Sequence, residues 1–257
     1  MRADRIDRLE AYILEQRSVS LDQLCQVFGI SKPTLRRDLE ALMPRRTIEK
    51  VYGGVVAIAP KNALAEGLTS FSERNIKNAD AKARVARLAA DTIEDNDVIF
   101  IDTGTSTLGI AEHLAGISNL TVITNSLLVA SKLLAYDDVR TIMLPGTINT
   151  RTASAVGDEC QKFLRCYHIR KAFMACSGVS GEGVFNNAPE EYAIKRTALE
   201  QSALHCLLLD SSKFDRPALM AYASLDRFHW LFSDEQPPEP YVNLLRQNRV
   251  QVKTATD

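Results

Sequence analysis

Several protein classes are excluded by what this 257-residue chain has little of. It carries five cysteines (Cys25, Cys160, Cys166, Cys176 and Cys206), an odd number with no C-x-x-C pair. That set suits neither a disulfide framework nor a zinc finger, so buried thiols in a reducing compartment are expected. Its four histidines (His113, His168, His205 and His229) show no i, i+4 spacing, and neither a metal site nor a cofactor is expected. No apolar run reaches the length that spans a bilayer, and Met1-Arg2-Ala3-Asp4-Arg5 lacks the apolar stretch of a signal peptide. A cytoplasmic protein with no membrane partner is expected. Neither G-x-G-x-x-G nor G-x-x-x-x-G-K-[ST] occurs, so no nucleotide fingerprint is present. The formal net charge of -1 leaves no room for a polybasic body or an acidic tail.

What remains is the composition of an ordinary folded protein, 46% hydrophobic and 25% charged. The charge is unevenly placed. From Ser31 to Lys50 there are six basic residues against three acidic, whereas residues 61–257 hold 21 basic and 24 acidic. A small positive region on a mildly negative chain fits a solvated helix face or a phosphate-contacting one. Periodicity separates these readings. Ile6, Leu9 and Ile13 recur at helical spacing and predict a helix from about Asp4 to Gln16. Ser20 with Gln23 forms a capping-box pattern ahead of Leu21, Leu24, Val27 and Phe28, and Gly29 offers a left-handed stop. Ile30 is assigned to the core. Ser31 is expected to cap a third helix with Pro33 in its first turn and Leu35, Leu39 and Leu42 facing inward. Two short helices joined through Gly29-Ile30 make a helix-turn-helix.

With Leu35 and Leu39 inside, Ser31, Lys32, Thr34, Arg36 and Arg37 are left on the N-terminal half of the third helix, the part that enters a DNA major groove. Arginine grips guanine O6 and N7 through two hydrogen bonds, while Ser31, Lys32 and Thr34 suit phosphates. The β-prone stretch Thr47 to Val56 around Gly53-Gly54 predicts a hairpin wing that brings Lys50 and Tyr52 to the DNA backbone. The run Ser31-Lys32-Pro33-Thr34-Leu35-Arg36-Arg37-Asp38-Leu39, followed by Val51-Tyr52-Gly53-Gly54-Val55, resembles the DNA-binding domain of the DeoR family of bacterial sugar-catabolism regulators. Pro44-Arg45-Arg46 departs from the family's usual glycine before the wing. The expected organisation is a winged helix-turn-helix over 1–58, a linker over 59–70 and a second domain over 71–257.

Beyond the linker, helical patterns alternate with apolar runs at Val98–Ile101, Leu120–Ile123, Thr141–Leu144, Ala172–Ala175 and Cys206–Leu209, with late runs at Trp230–Phe232 and Val250–Val252. Runs without in/out alternation predict strands buried on both faces, hence an α/β domain with a mainly parallel sheet. Ligands bind outside the carboxyl ends of such strands. There stand Asp102, Thr103, Gly104, Thr105, Ser106 and Thr107, expected to lead into a helix, then Thr124, Asn125 and Ser126, then Gly146, and finally Asp210 to Phe214 with Lys213. Each piece also fits a purely structural reading, as a strand end, a helix cap or a local ion pair. Together with Phe71 to Arg74, Ser154, Gly157, Glu190, Glu191 and Lys195, the constellation resembles the effector domain of DeoR-type regulators, which is similar in fold to ribose-5-phosphate isomerase.

That resemblance implies a repressor of a carbohydrate catabolic operon that binds double-stranded operator DNA and is released by a phosphorylated sugar or sugar alcohol. Gly104 to Thr107 and Lys213 would hold the phosphate, with Asp102, Asn125 and Glu191 nearer the hydroxyls and Lys195 beside them. Departures from the family pattern fall at Pro145-Gly146, Arg170, Ala175 and Ser177. A homo-oligomer, dimer or tetramer, is expected because one recognition helix reads too few bases. An activator of the same class is an alternative. A sugar-phosphate isomerase with an accessory DNA-binding head is a further rival, because Asp102, Glu190, Glu191 and Lys195 are capable of proton transfer.

Overall fold

A computed structural model describes residues 2–16, 18–43, 48–51, 54–57 and 71–255. The chain divides into two units, Met1–Gly67 and Leu68–Asp257.

In the first unit, α1 (Arg2–Gln16) is followed by β1 (Ser18–Ser20), α2 (Leu21–Phe28), α3 (Lys32–Leu42), β2 (Ile48–Val51) and β3 (Gly54–Ala57). The expected capping box opens α2: Ser20 Oγ accepts from the Gln23 amide and the Ser20 amide donates to Gln23 Oε1, each at 3.2 Å. Gly29 ends α2 at φ 61°, where a Cβ is costly. Ile6, Leu9, Ile13, Val19, Leu24, Leu35, Leu39, Leu42, Ile48 and Val55 close one aliphatic core. The wing is the antiparallel pair β2–β3.

Three details differ from expectation. Strand β1 was not foreseen; it pairs antiparallel with β3 and makes the wing a three-stranded sheet. Ser31 stands at the N-cap of α3, but its side chain makes no cap bond and its hydroxyl pairs with that of Thr34 at 3.0 Å. Val27 is 54% exposed, because it falls roughly 60° past Leu24 around the helix, outside the stripe set by Leu21, Leu24 and Phe28. Ile30 packs half-buried against the core.

In the second unit, α4 (Phe71–Ile76) and α5 (Ala79–Ala90) precede β4 (Val98–Ile101), β5 (Thr121–Thr124), α6 (Leu127–Leu133) and β6 (Arg140–Met143). The hairpin β7 (Thr147–Asn149) and β8 (Ser154–Val156) leads to α7 (Asp158–Leu164) and β9 (Ile169–Ala175). Then come β10 (Gly178–Ser180), β11 (Gly183–Asn186), α8 (Pro189–Glu200), β12 (Ser202–Leu208), β13 (Met220–Ala223), β14 (Trp230–Ser233), α9 (Glu239–Gln247) and β15 (Gln251–Thr254). Seven strands form one sheet in the order β15-β14-β12-β9-β4-β5-β6, every pair parallel.

Alternate residues of each strand feed opposite cores. Phe100, Ile123, Met174, Leu207 and Leu231 pack on one face with Ile194 and Ala198 of α8 and Leu245 of α9. Ile99, Ile101, Val122, Phe173, Leu208 and Phe232 pack on the other with Val85 and Ala89 of α5 and Val129 and Leu133 of α6. Helices on both faces explain the unbroken apolar runs. The sheet grows in one direction through β4, β5 and β6 and in the other through β9, β12, β14 and β15, so its switch point lies between β4 and β9. A ligand crevice opens at the carboxyl ends of such a pair.

The antiparallel hairpin β7–β8 and the small sheet β10-β11-β13 were not foreseen. The helix expected after Thr107 is a 3-10 turn over Leu108–Glu112, because Gly104 and Thr107 fold the loop back on itself before it. Of the thiols, Cys160, Cys176 and Cys206 are buried as expected, but Cys25 is half-buried and Cys166 exposed. Among the described residues no helix is long and apolar enough to cross a membrane.

Candidate functional sites

On α3 the inward and outward faces are cleanly divided. Leu35 and Leu39 are buried, Ser31, Lys32, Arg36 and Arg37 are exposed, and Thr34 is half-buried. A missed feature sharpens this face. Asp38 is fully buried and accepts from Arg5 Nε of α1 at 2.8 Å, a bond that raises the Arg5 guanidinium above its ordinary value. The acidic residue in the middle of α3 is thereby turned inward and neutralised. Its charge is withheld from the surface that Arg36 and Arg37 present. Lys50 lies on β2, but its side chain, like all of Tyr52, is outside the described residues.

In the second unit the residues that follow β4, β5, β9 and β12 converge. Asp102 leaves β4 at the switch point with 1% exposure. Its Oδ2 accepts from the Ala175 amide at 2.9 Å and from Lys195 Nζ, which also donates to the Ala175 carbonyl at 3.1 Å. Asp102 and Lys195 thus join β4, β9 and α8. Lys195 further lies 5.2 Å from the ring centre of Tyr222. Gly104 is demanded by packing, since a Cβ there would lie 2.0 Å from Ala175 Cβ. Its amide donates to Thr107 Oγ1 at 3.0 Å, and Thr107 Oγ1 donates to the Asp102 carbonyl at 2.7 Å. Thr105 and Ser106 are buried in the same turn.

A second cluster gathers on Glu191 of α8, which is 3% exposed. Thr103 Oγ1 donates to its Oε1 at 2.7 Å, Ser154 Oγ to the same oxygen at 3.2 Å and Asn186 Nδ2 to Oε2 at 3.4 Å. Burial pushes this carboxyl above the usual carboxylate range, opposed by the nearby charge of Lys195. Asn125 is held by Nδ2 donating to the Ala155 carbonyl at 3.2 Å, yet its buried Oδ1 has no partner. Thr124 and Ser126 serve the scaffold: Thr124 Oγ1 donates to the Ile101 carbonyl at 2.7 Å, and Ser126 Oγ accepts from the Val129 amide to cap α6. Gly146, at φ 147°, turns the chain between β6 and β7. A Cβ there would lie 2.5 Å from the Val156 carbonyl, and no bond ties it to the Asp102 or Glu191 clusters among the described residues.

The third group is cationic. Lys213 Nζ donates to the Cys176 carbonyl at 2.7 Å and lies 3.4 Å from Ser106 Oγ, which links the β12 loop to the Asp102–Thr107 turn. Lys82 of α5 was missed by sequence reasoning. Burial, with the repulsion of Lys213, lowers it to about 8. Its Nζ donates to the carbonyls of Arg74 and Lys77. Asn78 Nδ2 donates to Asp210 Oδ1 at 2.9 Å and to Ser212 Oγ at 3.0 Å. Burial favours the neutral acid at Asp210, but the Ser212 hydrogen bond, the Lys213 charge, the Asn78 bond and Lys82 outweigh it and hold the carboxyl below its ordinary value. Arg74, three residues after Phe71, stacks over that ring at 5.5 Å. Lys213, with Lys82 close enough to feel its charge and the Ser106 hydroxyl 3.4 Å away, suits an anion flanked by hydroxyl groups.

A helix-turn-helix with an exposed basic face, followed by an α/β unit whose polar groups meet at a switch point, defines a DNA-binding regulator carrying its own sensor. Family models agree along nearly the whole chain: residues 5–61 match the DeoR-like helix-turn-helix domain and residues 77–235 the DeoR C-terminal sensor domain. The chain belongs to the DeoR family of transcriptional regulators. It is 37% identical to the HTH-type transcriptional regulator IolR of Bacillus subtilis over 99% of this chain and 100% of that one. It is 28% identical to the glycerol-3-phosphate regulon repressor of Escherichia coli over 94% of each. Among solved structures, ribose 5-phosphate isomerase A from Methanocaldococcus jannaschii aligns at TM-score 0.39 and 20% identity, covering 54% of this chain and 55% of that one.

Proposed function

We propose that this regulator represses a carbohydrate catabolic operon and leaves its operator when a phosphorylated sugar or sugar alcohol occupies the switch-point site. The observation that carries the reading is Lys213 beside Ser106 of the hydroxyl-rich Asp102–Thr107 turn, with Lys82 near enough to Lys213 to feel its charge and Thr103 of the same turn bonded to the buried Glu191. Cations and hydroxyls suit the phosphate, and Glu191 and Asn125 suit the sugar's hydroxyl donors. Effector contacts are assigned to Asp102 through Thr107, Asn125, Glu191, Lys195 and Lys213, with operator contacts on Ser31, Lys32, Thr34, Arg36, Arg37, Lys50 and Tyr52. Binding suits the site better than proton transfer, because Asp102 and Lys195 are already committed to each other and to the backbone of Ala175. A two-fold homo-oligomer places two recognition helices on repeated half-sites.

The test begins with a thermal-shift screen of phosphorylated sugars and their unphosphorylated parents, since a ligand of the native state raises Tm. The best ligand is then titrated against a duplex selected from random sequence by the full-length chain. Arg37→Ala is expected to weaken operator binding at matched salt, and Lys213→Ala to raise the ligand concentration needed for release. A wild-type protein that selects no duplex and responds to no phosphorylated compound overturns the reading.

A further inference from the structure

A cavity of about 330 Å³ opens between α8 and β13, and none of the residues assigned to the effector lines it. That volume is at the lower end of the roughly 300–1,000 Å³ of small-molecule sites. Its floor is apolar, with Leu199 and the ring of Tyr222 both buried. Its walls are charged. Arg196 of α8 and Arg227, from the turn Leu225–Arg227, both line it and both are exposed. Arg196 spends one donor on Tyr192 Oη at 3.2 Å, and the guanidinium of Arg227 makes no hydrogen bond or ion pair among the described residues. Glu200 is the carboxylate of the lining, and it faces a third arginine, Arg165, at 3.5 Å. Positive charge therefore exceeds negative around an apolar floor.

The turn that carries Arg227 is fixed from several sides. Ser224 Oγ donates to Asp226, the Phe228 amide donates to the Leu225 carbonyl at 3.1 Å, and His205 Nδ1 donates to the Arg227 carbonyl at 2.6 Å. A guanidinium on a backbone already ordered loses less freedom when it grips an anion, and its planar fork matches a phosphate or a carboxylate.

The cavity floor also backs onto the switch point. Tyr222 Oη donates to the Ala175 carbonyl at 3.0 Å, the same oxygen that accepts from Lys195 Nζ at 3.1 Å. The ring that lines the cavity has Lys195 Nζ at 5.2 Å from its centre. One side chain thus touches both the cavity and the residues that hold Asp102.

We propose that this cavity is a second anion site, taking a small organic dianion, phosphate monoester or dicarboxylate, between Arg196 and Arg227 with its carbon part on Leu199 and Tyr222, and that Tyr222 passes its occupancy to Lys195 at the switch point. The site itself stands apart from the effector reading above; the coupling rests on it.

The experiment uses the full-length wild type and the Arg196→Gln/Arg227→Gln double variant, with succinate, malate, glycerol 3-phosphate and glucose 6-phosphate as probes at matched ionic strength. Phenylglyoxal modification of the wild type, mapped by mass spectrometry, is expected to show at least one probe protecting Arg196 and Arg227 together while Arg87, exposed on α5, reacts as before. By calorimetry, the Kd of that probe should rise about tenfold or more in the double variant. A protecting dicarboxylate should show one site in the wild type; a protecting phosphate monoester should show two, of which the double variant keeps one. Saturating the cavity should change the Kd of the switch-point ligand by about 5- to 150-fold, and Tyr222→Phe should bring that factor towards one. A set of probes that never protects both arginines overturns the site, as does a protecting probe that binds the double variant with the wild-type Kd. Arginines shielded with no probe present make this face a contact between copies and overturn it too. A wild-type factor of one overturns the passage through Tyr222. A wild type that binds no sugar phosphate at the switch point defeats the effector reading and the coupling with it, while arginine protection still decides the cavity.

Discussion

The two units bury different kinds of atom. The core of the first is ten aliphatic side chains, and Asp38 is its one buried polar side chain among the described residues. The groups proposed to meet the operator stand outside, on the exposed face of α3. In the second unit the groups proposed to meet the effector are inside: Asp102, Thr103, Glu191 and Lys195 are each at most 3% exposed and paired across β4, β9 and α8. A reading head meets a large partner that comes to its surface, so it needs only a rigid helix with charges left over. A sensor must enclose a small solute, so its polar groups are desolvated and must satisfy one another when the ligand is absent.

The sharpest way to break this comparison is to remove one side chain from each interior, a charge from the second and an aliphatic group from the first. Lys195→Ala leaves Asp102 buried without its counter-charge and is expected to cost the second unit about 3–5 kcal/mol. The measurement is urea unfolding followed by the fluorescence of Trp230; a midpoint within error of wild type would show that water reaches Asp102 and that the pair is not enclosed. Leu39→Ala opens a cavity in the small aliphatic core of the first unit, at a cost of about 2–5 kcal/mol. Operator binding should be lost while the Tm response to sugar phosphates persists. Concerted loss of both activities would mean that the units do not unfold separately.

A smaller effect comes from pH. Lys82 sits at about 8 in the folded protein against an ordinary value of 10.5, because burial and then Lys213 disfavour its charge. Below pH 8 it is protonated folded and unfolded alike, and the cost of burying that charge is present in full. As pH rises from 8 towards 10.5 the folded state sheds the proton first, so this contribution to stability increases. Affinity for inorganic phosphate should move oppositely, falling above pH 8. Lys82→Met is expected to flatten both profiles, read by urea midpoints and by phosphate titration between pH 7 and 10. A phosphate affinity in the wild type that is level across that range would remove Lys82 from the anion site.

The same contrast governs how much was legible beforehand. Helices α1 to α3, the Ser20–Gln23 box and the inward leucines follow from spacings of three to seven residues, and such local patterns are written directly in the chain. The parallel strands were readable for a similar reason, since runs such as Val98–Ile101 are apolar throughout. Strand-end polarity pointed to Asp102–Thr107, Asn125 and Lys213, while Glu191 and Lys195, on α8, came only with the family resemblance. Arg74 entered only through the family resemblance, and Lys82 escaped because a basic residue on an amphipathic helix carries the same local pattern whether it ends in water or in a crevice. Asp38 escaped likewise, its partner Arg5 lying 33 positions away.

By itself, the order of residues determined the helix-turn-helix, the apolar strands and the family, because those depend on short-range periodicity and on motifs that carry their own geometry. Only the tertiary structure decided which polar groups meet. Thr103 finds Glu191 across 88 positions and Asp102 finds Lys195 across 93. Those meetings are set by sheet order and by the reversal between β4 and β9, and no local spacing encodes them, because the free energy that selects the order is spread over two whole cores.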